Sequence, residues 1–562
     1  MNRGHLLQEP SPNALLADVP TGGAPVRVSR RSATVVNSVK LRTLFRASLL
    51  LSFLALFVTP IGLCVEAPHI VQKDGRAALF VEGRPYLILG AQMNNSSEWP
   101  STLPNVWSAI TNIHANTLGA PVYWQQLEPR PGMFNFTNVD QLIREAREHH
   151  VHLILLWFGA SKNGQLHYAP DWVKTDTAHY PRLMNGRGQL LDILDPNAPS
   201  NLEADKRAFT TLMHHLREID GEAHTILMMQ VENEAGSYYA DRDYTARGNK
   251  LFSESVPASL VAALHKHPGS WHDVFGSVDN ETFALWSEAR YINTLAEAGK
   301  TEFNIPMFIN IAAIIYPNGE AVHRMLDIWK IAAPSIDIIG TDLYDDFSPS
   351  YQEMLNAYGR RDNPLWVSET GSGNSYAKFF FYALGDGAIG FSPFGVDHSG
   401  WTIPKDQEPN AHAENYALIA PMSRDVALLN FEGRLKTAVE EPGRAEQEVD
   451  FGDWQATVTF GYPQPDRQRP PGTPDFHGRV LIARLGADEF LVTGIDARVT
   501  FHVPSRPPPS DHHINNILHA EQGTYVDGAW KPFRIWNGDE TQRGLNFEHD
   551  GNVIHVTVYR WD

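Results

Sequence analysis

The sequence has almost no cysteine. One Cys in 562 residues excludes an intramolecular disulfide framework and any multi-cysteine metal or iron–sulfur site. It is also short of positive charge. Against 65 Asp+Glu stand only 46 Lys+Arg, a formal net charge of −19. A nucleic-acid partner calls for a basic surface, so that class is a poor fit. Long hydrophobic runs are missing as well: the longest, residues 47–58, is about a dozen residues, and a membrane span needs about 20. No His-Glu-x-x-His or comparable ligand set is present, and His512 and His513 read as a polar loop, so no metal or cofactor is expected. No Gly-rich nucleotide loop follows the first strand-like run, and no repeat of 20–50 residues appears. The serine-hydrolase elbow Gly-x-Ser-x-Gly is approached by Gly390-Phe391-Ser392-Pro393-Phe394, but Phe394 breaks it.

What is present is ordinary for a globular chain with a sizeable core: 43% hydrophobic and 20% charged residues. Near the start, Lys40, Arg42 and Arg46 precede the apolar run 47–58, the pattern of a secretory leader. Residues 1–67 are therefore read as an N-terminal extension and signal peptide, with cleavage expected after Ala67. The leader takes away 7 Lys/Arg, 3 Asp/Glu and Cys64, so −19 becomes −23. The expectation is an exported protein, periplasmic or secreted, whose cysteine-free mature chain suits an oxidising compartment.

From Tyr86 onward, short apolar runs alternate with amphipathic ones. Strands are predicted at Tyr86–Ala91, Thr117–Tyr123, Leu153–Phe158, Ile226–Val231, Met307–Ile311, Ile336–Thr341, Leu365–Ser368 and Ala388–Phe391. Helical patterns lie between them, among them Val139–His150, Lys206–Ile219, Phe283–Ala298 and Glu320–Ala333. Eight such units are the count of a (β/α)8 TIM barrel, assigned to residues 68–425. An open doubly wound sheet is the main alternative. The stretch 238–280 reads as an inserted loop over the active site. After residue 425 the runs alternate apolar and polar residues, as in Trp454–Phe460, Arg479–Leu485, Glu489–Val492, Ala497–Val503 and Val553–Tyr559. That predicts a smaller antiparallel β-sandwich over 426–562, with loops in the Pro-rich segments 463–474 and 504–509. The overall class is α/β: a barrel followed by a β domain.

In such a barrel the reactive groups sit at the C-terminal ends of the strands. Two ends stand out: Met229-Gln230-Val231-Glu232-Asn233-Glu234 and Trp366-Val367-Ser368-Glu369-Thr370-Gly371. A carboxyl on strand four facing one on strand seven is the pair that glycoside cleavage requires. One group protonates the leaving oxygen and the other attacks the anomeric carbon. The acid must stay protonated near neutrality and the nucleophile must stay ionised.

The segment Gln230-Val231-Glu232-Asn233-Glu234-Ala235-Gly236-Ser237 resembles the strand-four signature of the family 35 β-galactosidases. The stretch from Trp124 through Glu128-Pro129 to Gly132-Met133-Phe134-Asn135-Phe136 resembles that family's strand-two segment. The resemblance spans roughly residues 70–420. It implies Glu234 as acid/base, Glu369 as nucleophile, Asn233 on the sugar 2-hydroxyl, and Tyr344 against the nucleophile. The C-terminal domain resembles a β domain found in a bacterial branch of these enzymes.

The sequence departs from the family at Ala235, at Trp157-Phe158-Gly159-Ala160-Ser161-Lys162 on strand three, and at Pro121, where a tyrosine is usual and Tyr123 lies nearby. Glu232 either binds sugar hydroxyls or tunes its neighbour's charge. Gln92, with Asn94 and Asn95, is placed near substrate, and Trp157 and Trp124 are either sugar platforms or packing. The implied activity is a retaining exo-β-galactosidase on a saccharide partner. A barrel enzyme cutting β-glucans or other β-glycosides, or a non-catalytic carbohydrate-binding protein, are the alternatives.

Overall fold

The computed structural model describes residues 66–560, apart from 237–239, 313–324, 400–408, 462–475, 505–515 and 537. Residues 1–65 of the expected leader, with Cys64, as well as His512 and His513, nearly all of both Pro-rich segments, and the start of the pattern Glu320–Ala333 lie outside the described residues. Among the described residues no helix is long and apolar enough to cross a membrane.

Eight parallel strands close into a barrel: β1 Ile88–Gln92, β2 Thr117–Tyr123, β3 His152–Lys162, β4 Ile226–Asn233, β5 Met307–Ala312, β6 Ile338–Leu343, β7 Trp366–Thr370 and β8 Gly390–Pro393. β8 pairs with β1 and β4 with β5, so the sheet has no free edge and the doubly wound alternative is excluded. Each strand lies within a few residues of its predicted position, because each is an apolar run buried on both faces.

Side chains alternate across the barrel wall. On β3, Ile154, Leu156 and Phe158 join the interior cluster with Ile88, Met228, Phe308, Ile338 and Trp366, while Leu153, Leu155 and Trp157 join the cluster under the helices. An N-terminal antiparallel sheet, 69–73, 76–81 and 84–86, adds Leu79 and Val81 to the interior cluster. The main covering helices are Thr137–Glu148, Pro199–Asp220 (here α1), Asp279–Glu302, Leu326–Ala332 and Ser348–Tyr358. The expected insertion is built from three short helices, Ala246–Phe252, Ala258–Ala263 and Trp271–Phe275. It is tied to the hairpin that follows β3 by an Arg247–Asp195 ion pair of 2.8 Å.

The last barrel helix ends at Phe431, and the β domain begins with the strand Leu435–Val439. Its two antiparallel sheets have six and four strands, with Val449, Trp454, Val458, Phe490, Phe501 and Val556 between them. Strands at 446–450, 517–526, 529–536 and 545–547 join those expected from the sequence; the pair at 517–536 carries many charged and exposed residues, which hides its period. The central strands of the six-stranded sheet are buried on both faces. Val480, Ile482 and Val492 face the sandwich, while Leu481, Ala483 and Leu491 join the barrel's cluster. That two-sided burial explains why Val480-Leu481-Ile482-Ala483 is continuously apolar, where alternation was expected for Arg479–Leu485.

Candidate active site

The C-terminal ends of β4, β5, β6 and β7 bring three carboxyl groups together. Glu234, Asp342 and Glu369 each place an oxygen within 4.8 Å of the others. Glu369 is 6% exposed and both its oxygens accept hydrogen bonds. Gln92 Nε2 donates to Oε2 at 2.9 Å, and the Tyr344 hydroxyl donates to Oε1 at 2.5 Å. The Tyr344 ring is half exposed at the mouth, but its hydroxyl end is buried against Glu369. Burial and the adjacent Glu369 charge hold that phenol well above its usual range. Two side-chain donors thus converge on one carboxylate.

Glu234 sits in a desolvated site beside a negative charge. Burial first, then the charge of Glu369, push its carboxyl up to about 7; Lys162 opposes the rise. A carboxyl with that pKa is protonated in a large fraction of molecules near neutrality, as a general acid must be.

Asn310 and Asp342 were not singled out in the sequence. Asn310 ties two of the carboxyl groups together: its Oδ1 accepts from the Glu234 backbone N–H at 3.0 Å, and its Nδ2 donates to Asp342 at 2.5 Å. Asp342 also accepts from Ser368 Oγ at 3.0 Å. Burial and the charges of Glu369 and Glu234 lift Asp342 well above the carboxylate range. Their signal was available: a lone Asn inside Met307-Phe308-Ile309-Asn310-Ile311 and an Asp at the end of β6 are polar groups on otherwise apolar strands.

Two predicted sugar contacts require correction. Trp157 is fully buried under the helices and donates its indole N–H to Asp205 of α1 at 2.9 Å. Alternation along β3 puts it on the face of Leu153 and Leu155, away from the barrel axis. Glu232 is likewise fully buried. Its oxygens accept from the backbone N–H of Ala160 at 3.1 Å and of Ser161 at 2.7 Å. Burial, then the charge and hydrogen bond of Asp205, raise Glu232 well above the carboxylate range.

Tyr123 faces the interior but is 2% exposed, stacked on Tyr168 with centroids 5.1 Å apart and accepting from the Glu98 N–H at 3.4 Å. It borders a separate cavity of about 240 Å³ where burial pushes Glu98 up to about 8. Trp124 is packing, its indole N–H on Glu128. Glu128 also accepts from Gly132 N–H and pairs with Arg207 at 2.8 Å, so the Glu128–Gly132 segment is a braced turn. Asn94 is held by Asp397 through its backbone and side-chain nitrogens.

Lys162 was missed. It lies 6% exposed beside Asn233 and donates to Asn233 Oδ1 at 2.6 Å. The signal was Asn163-Gly164 just after it: both adopt positive φ, 54° and 65°, in a two-residue turn that returns Gln165 to Lys162.

Among the described residues, two groups have geometry that a cation could use. Around the active carboxyls, Gln92, Tyr344, Asn310 and Ser368 already donate to the oxygens of Glu369 and Asp342, the pattern of a hydrogen-bonded carboxyl cluster. At the β domain, Glu414, His477 and His549 converge, but Arg479 is already 3.3 Å from Glu414.

Residues 412–548 match one family model, a domain of unknown function (DUF5597). No curated protein matches the sequence. Similar solved structures include three β-galactosidases. The β-galactosidase from Bacillus circulans sp. alkalophilus is 14% identical, with a TM-score of 0.44, covering 60% of this chain and 57% of that one. The β-galactosidase from Rahnella sp. R3 is 14% identical at 0.44, covering 61% and 58%. The β-galactosidase from the psychrophilic Marinomonas ef1 is 13% identical at 0.45, covering 61% of each chain. This chain thus matches less than two thirds of the length of each.

Proposed function

We propose that this chain is a retaining exo-β-galactosidase, removing terminal β-D-galactosyl residues from oligo- or polysaccharides by double displacement. The observation that carries the reading is the Glu234–Glu369 pair. Oxygens within 4.8 Å suit the short carboxyl separation of retaining enzymes, about 5–5.5 Å, better than the roughly 6.5–9.5 Å that leaves room for an inverting water.

In the first step Glu369 attacks the anomeric carbon while Glu234 gives its proton to the leaving oxygen. In the second, Glu234 takes a proton from water, which attacks the same carbon and releases the sugar with its β configuration retained. The environments favour this division: Glu234 is desolvated and next to a negative charge, whereas Glu369 receives two donors. Asn233 meets the 2-oxygen of the sugar. The galactosyl preference draws on the likeness of Gln230–Glu234 to the family 35 signature. Export through the leader is part of the proposal, and recovery of the protein from cells with residues 40–58 still attached would overturn it.

Hydrolysis of 4-nitrophenyl β-galactoside, β-glucoside, β-fucoside and β-arabinoside tests the reading, with the galactoside expected to be fastest. Faster glucoside cleavage would favour the β-glucan alternative. Sugar binding without hydrolysis across the panel would favour a carbohydrate-binding protein.

A further inference from the structure

We infer that Lys162, carried on a bulge of β3 that Glu232 clamps, is a positioning residue that turns the Asn233 side-chain amide so its N–H2 meets the oxygen beside the substrate's reacting carbon. The inference rests on the glycosidase reading and deepens it, because it assigns the origin of selectivity at that oxygen.

The argument starts from register. Trp157 of β3 pairs with Val231 of β4, and the next pair is Lys162 with Asn233. Between these pairs β3 advances five residues and β4 only two. A bulge of this size leaves backbone donors unpaired, and they need acceptors. Glu232 supplies them, taking the N–H groups of both Ala160 and Ser161. Gly159 lets the chain pass: a Cβ there would lie 2.2 Å from Trp157 Nε1, 2.6 Å from Glu232 Oε1 and 2.8 Å from Asp205 Oδ1. Asp205 is held in turn by Trp157 and by the Tyr291 hydroxyl at 2.7 Å. The bulge is thus braced from the helix layer, and its far end delivers Lys162 to Asn233.

An amide can face either way around, but an ammonium has only donors. Lys162 Nζ at 2.6 Å therefore selects Asn233 Oδ1. The amide nitrogen is left on the other side. That Nδ2 atom is buried and has no acceptor among the described residues. A buried unsatisfied donor costs about 1–3 kcal/mol, so its persistence beside Glu234 calls for a ligand acceptor. For a glycoside bound between Glu234 and Glu369, the acceptor adjacent to the reacting carbon is the 2-oxygen. The ammonium also lies close enough to Glu234 to lower its pKa, so the same lysine opposes the crowding of three carboxyl groups.

The test compares 4-nitrophenyl glycosides of the preferred sugar with their 2-deoxy analogues, for the wild type and for Lys162→Met, Lys162→Arg and Asn233→Ala. Lys162→Met is expected to lower kcat/KM on the 2-hydroxy substrate by about 10–100-fold, with less than about threefold loss on the 2-deoxy substrate. Lys162→Arg recovers part of the loss, and Lys162→Met adds little on top of Asn233→Ala. Glu232→Gln follows the same substrate pattern if it folds; the lysine variants decide the matter without it. Equal losses on both substrates would overturn the inference while leaving the glycosidase reading intact. A wild type that cleaves no β-glycoside overturns that reading and this inference together.

Discussion

Glu232 and Glu234 stand two residues apart at the end of β4, yet their carboxyl groups lie on opposite sides of the barrel wall. On a regular strand, residues i and i+2 share a face. Here both adopt left-handed backbone, with φ of 62° and 43°. One carboxyl turns outward to Ala160, Ser161 and Asp205, and the other turns into the mouth toward Asp342 and Glu369. A non-glycine residue in this region costs about 1–3 kcal/mol, and such strain concentrates where function over-determines the backbone.

Replacing Glu369 by Gly removes the proposed nucleophile. Turnover is expected to fall by about 10⁴-fold or more. Added azide then restores cleavage and yields an α-glycosyl azide, identified by NMR. Formation of the α-azide with the Glu234 variant instead would exchange the two roles. In the wild type, the anomer released first from a β-galactoside is expected to be β.

The acid/base assignment fixes the pH profile. Glu234 must be protonated to act on the leaving oxygen, and its carboxyl is raised to about 7. Activity, read as kcat/KM, should fall as pH rises through about 7, and Glu234→Gln should abolish that limb. The same shift has a sign for stability. A raised carboxyl pKa means the folded state holds its proton more tightly than the unfolded chain. Its contribution is therefore full below about 4.5 and is lost as pH rises through about 7. Glu234→Gln is expected to raise Tm more at pH 8 than at pH 5.

Tyr344→Phe deletes one of two donors on Glu369 while leaving the ring. A loss of about 10²-fold in kcat with a small change in KM is expected, since the missing donor acts on the proposed nucleophile. Gln92→Ala should give a loss of the same order. An unchanged kcat for both variants would show that these donors have no part in the reaction.

Gly159→Ala tests the bulge on its own. The added methyl meets Trp157, Glu232 and Asp205 inside the wall, and a cost of about 1–3 kcal/mol is expected, measured by denaturant unfolding. Wild-type stability in this variant would show that the bulge has room to shift.

Leu481→Ala probes the seam between the barrel and the β domain. Leu481 is fully buried and packs in the barrel's cluster, so truncation is expected to cost about 2–5 kcal/mol. The two domains should melt in one transition. Two separate transitions would contradict that coupling.

The sequence by itself determined the eight strands, the β domain after them, and the meeting of Glu234 with Glu369. Each rests on local signals: apolar runs of strand length, a period of two, and carboxyl groups placed just past strand ends. The burial of Trp157 was equally legible, since alternation puts it with Leu153 and Leu155. What only the tertiary structure decided lies where local rules break. The fates of Glu232 and Lys162 depend on a register shift between β3 and β4, and register is a property of two strands. The raised carboxyl of Glu234 depends on burial and on Glu369, with Lys162 opposing, and its backbone is held by Asn310. Those residues are far apart in sequence, and desolvation and charge act across the few ångströms that barrel closure leaves between them.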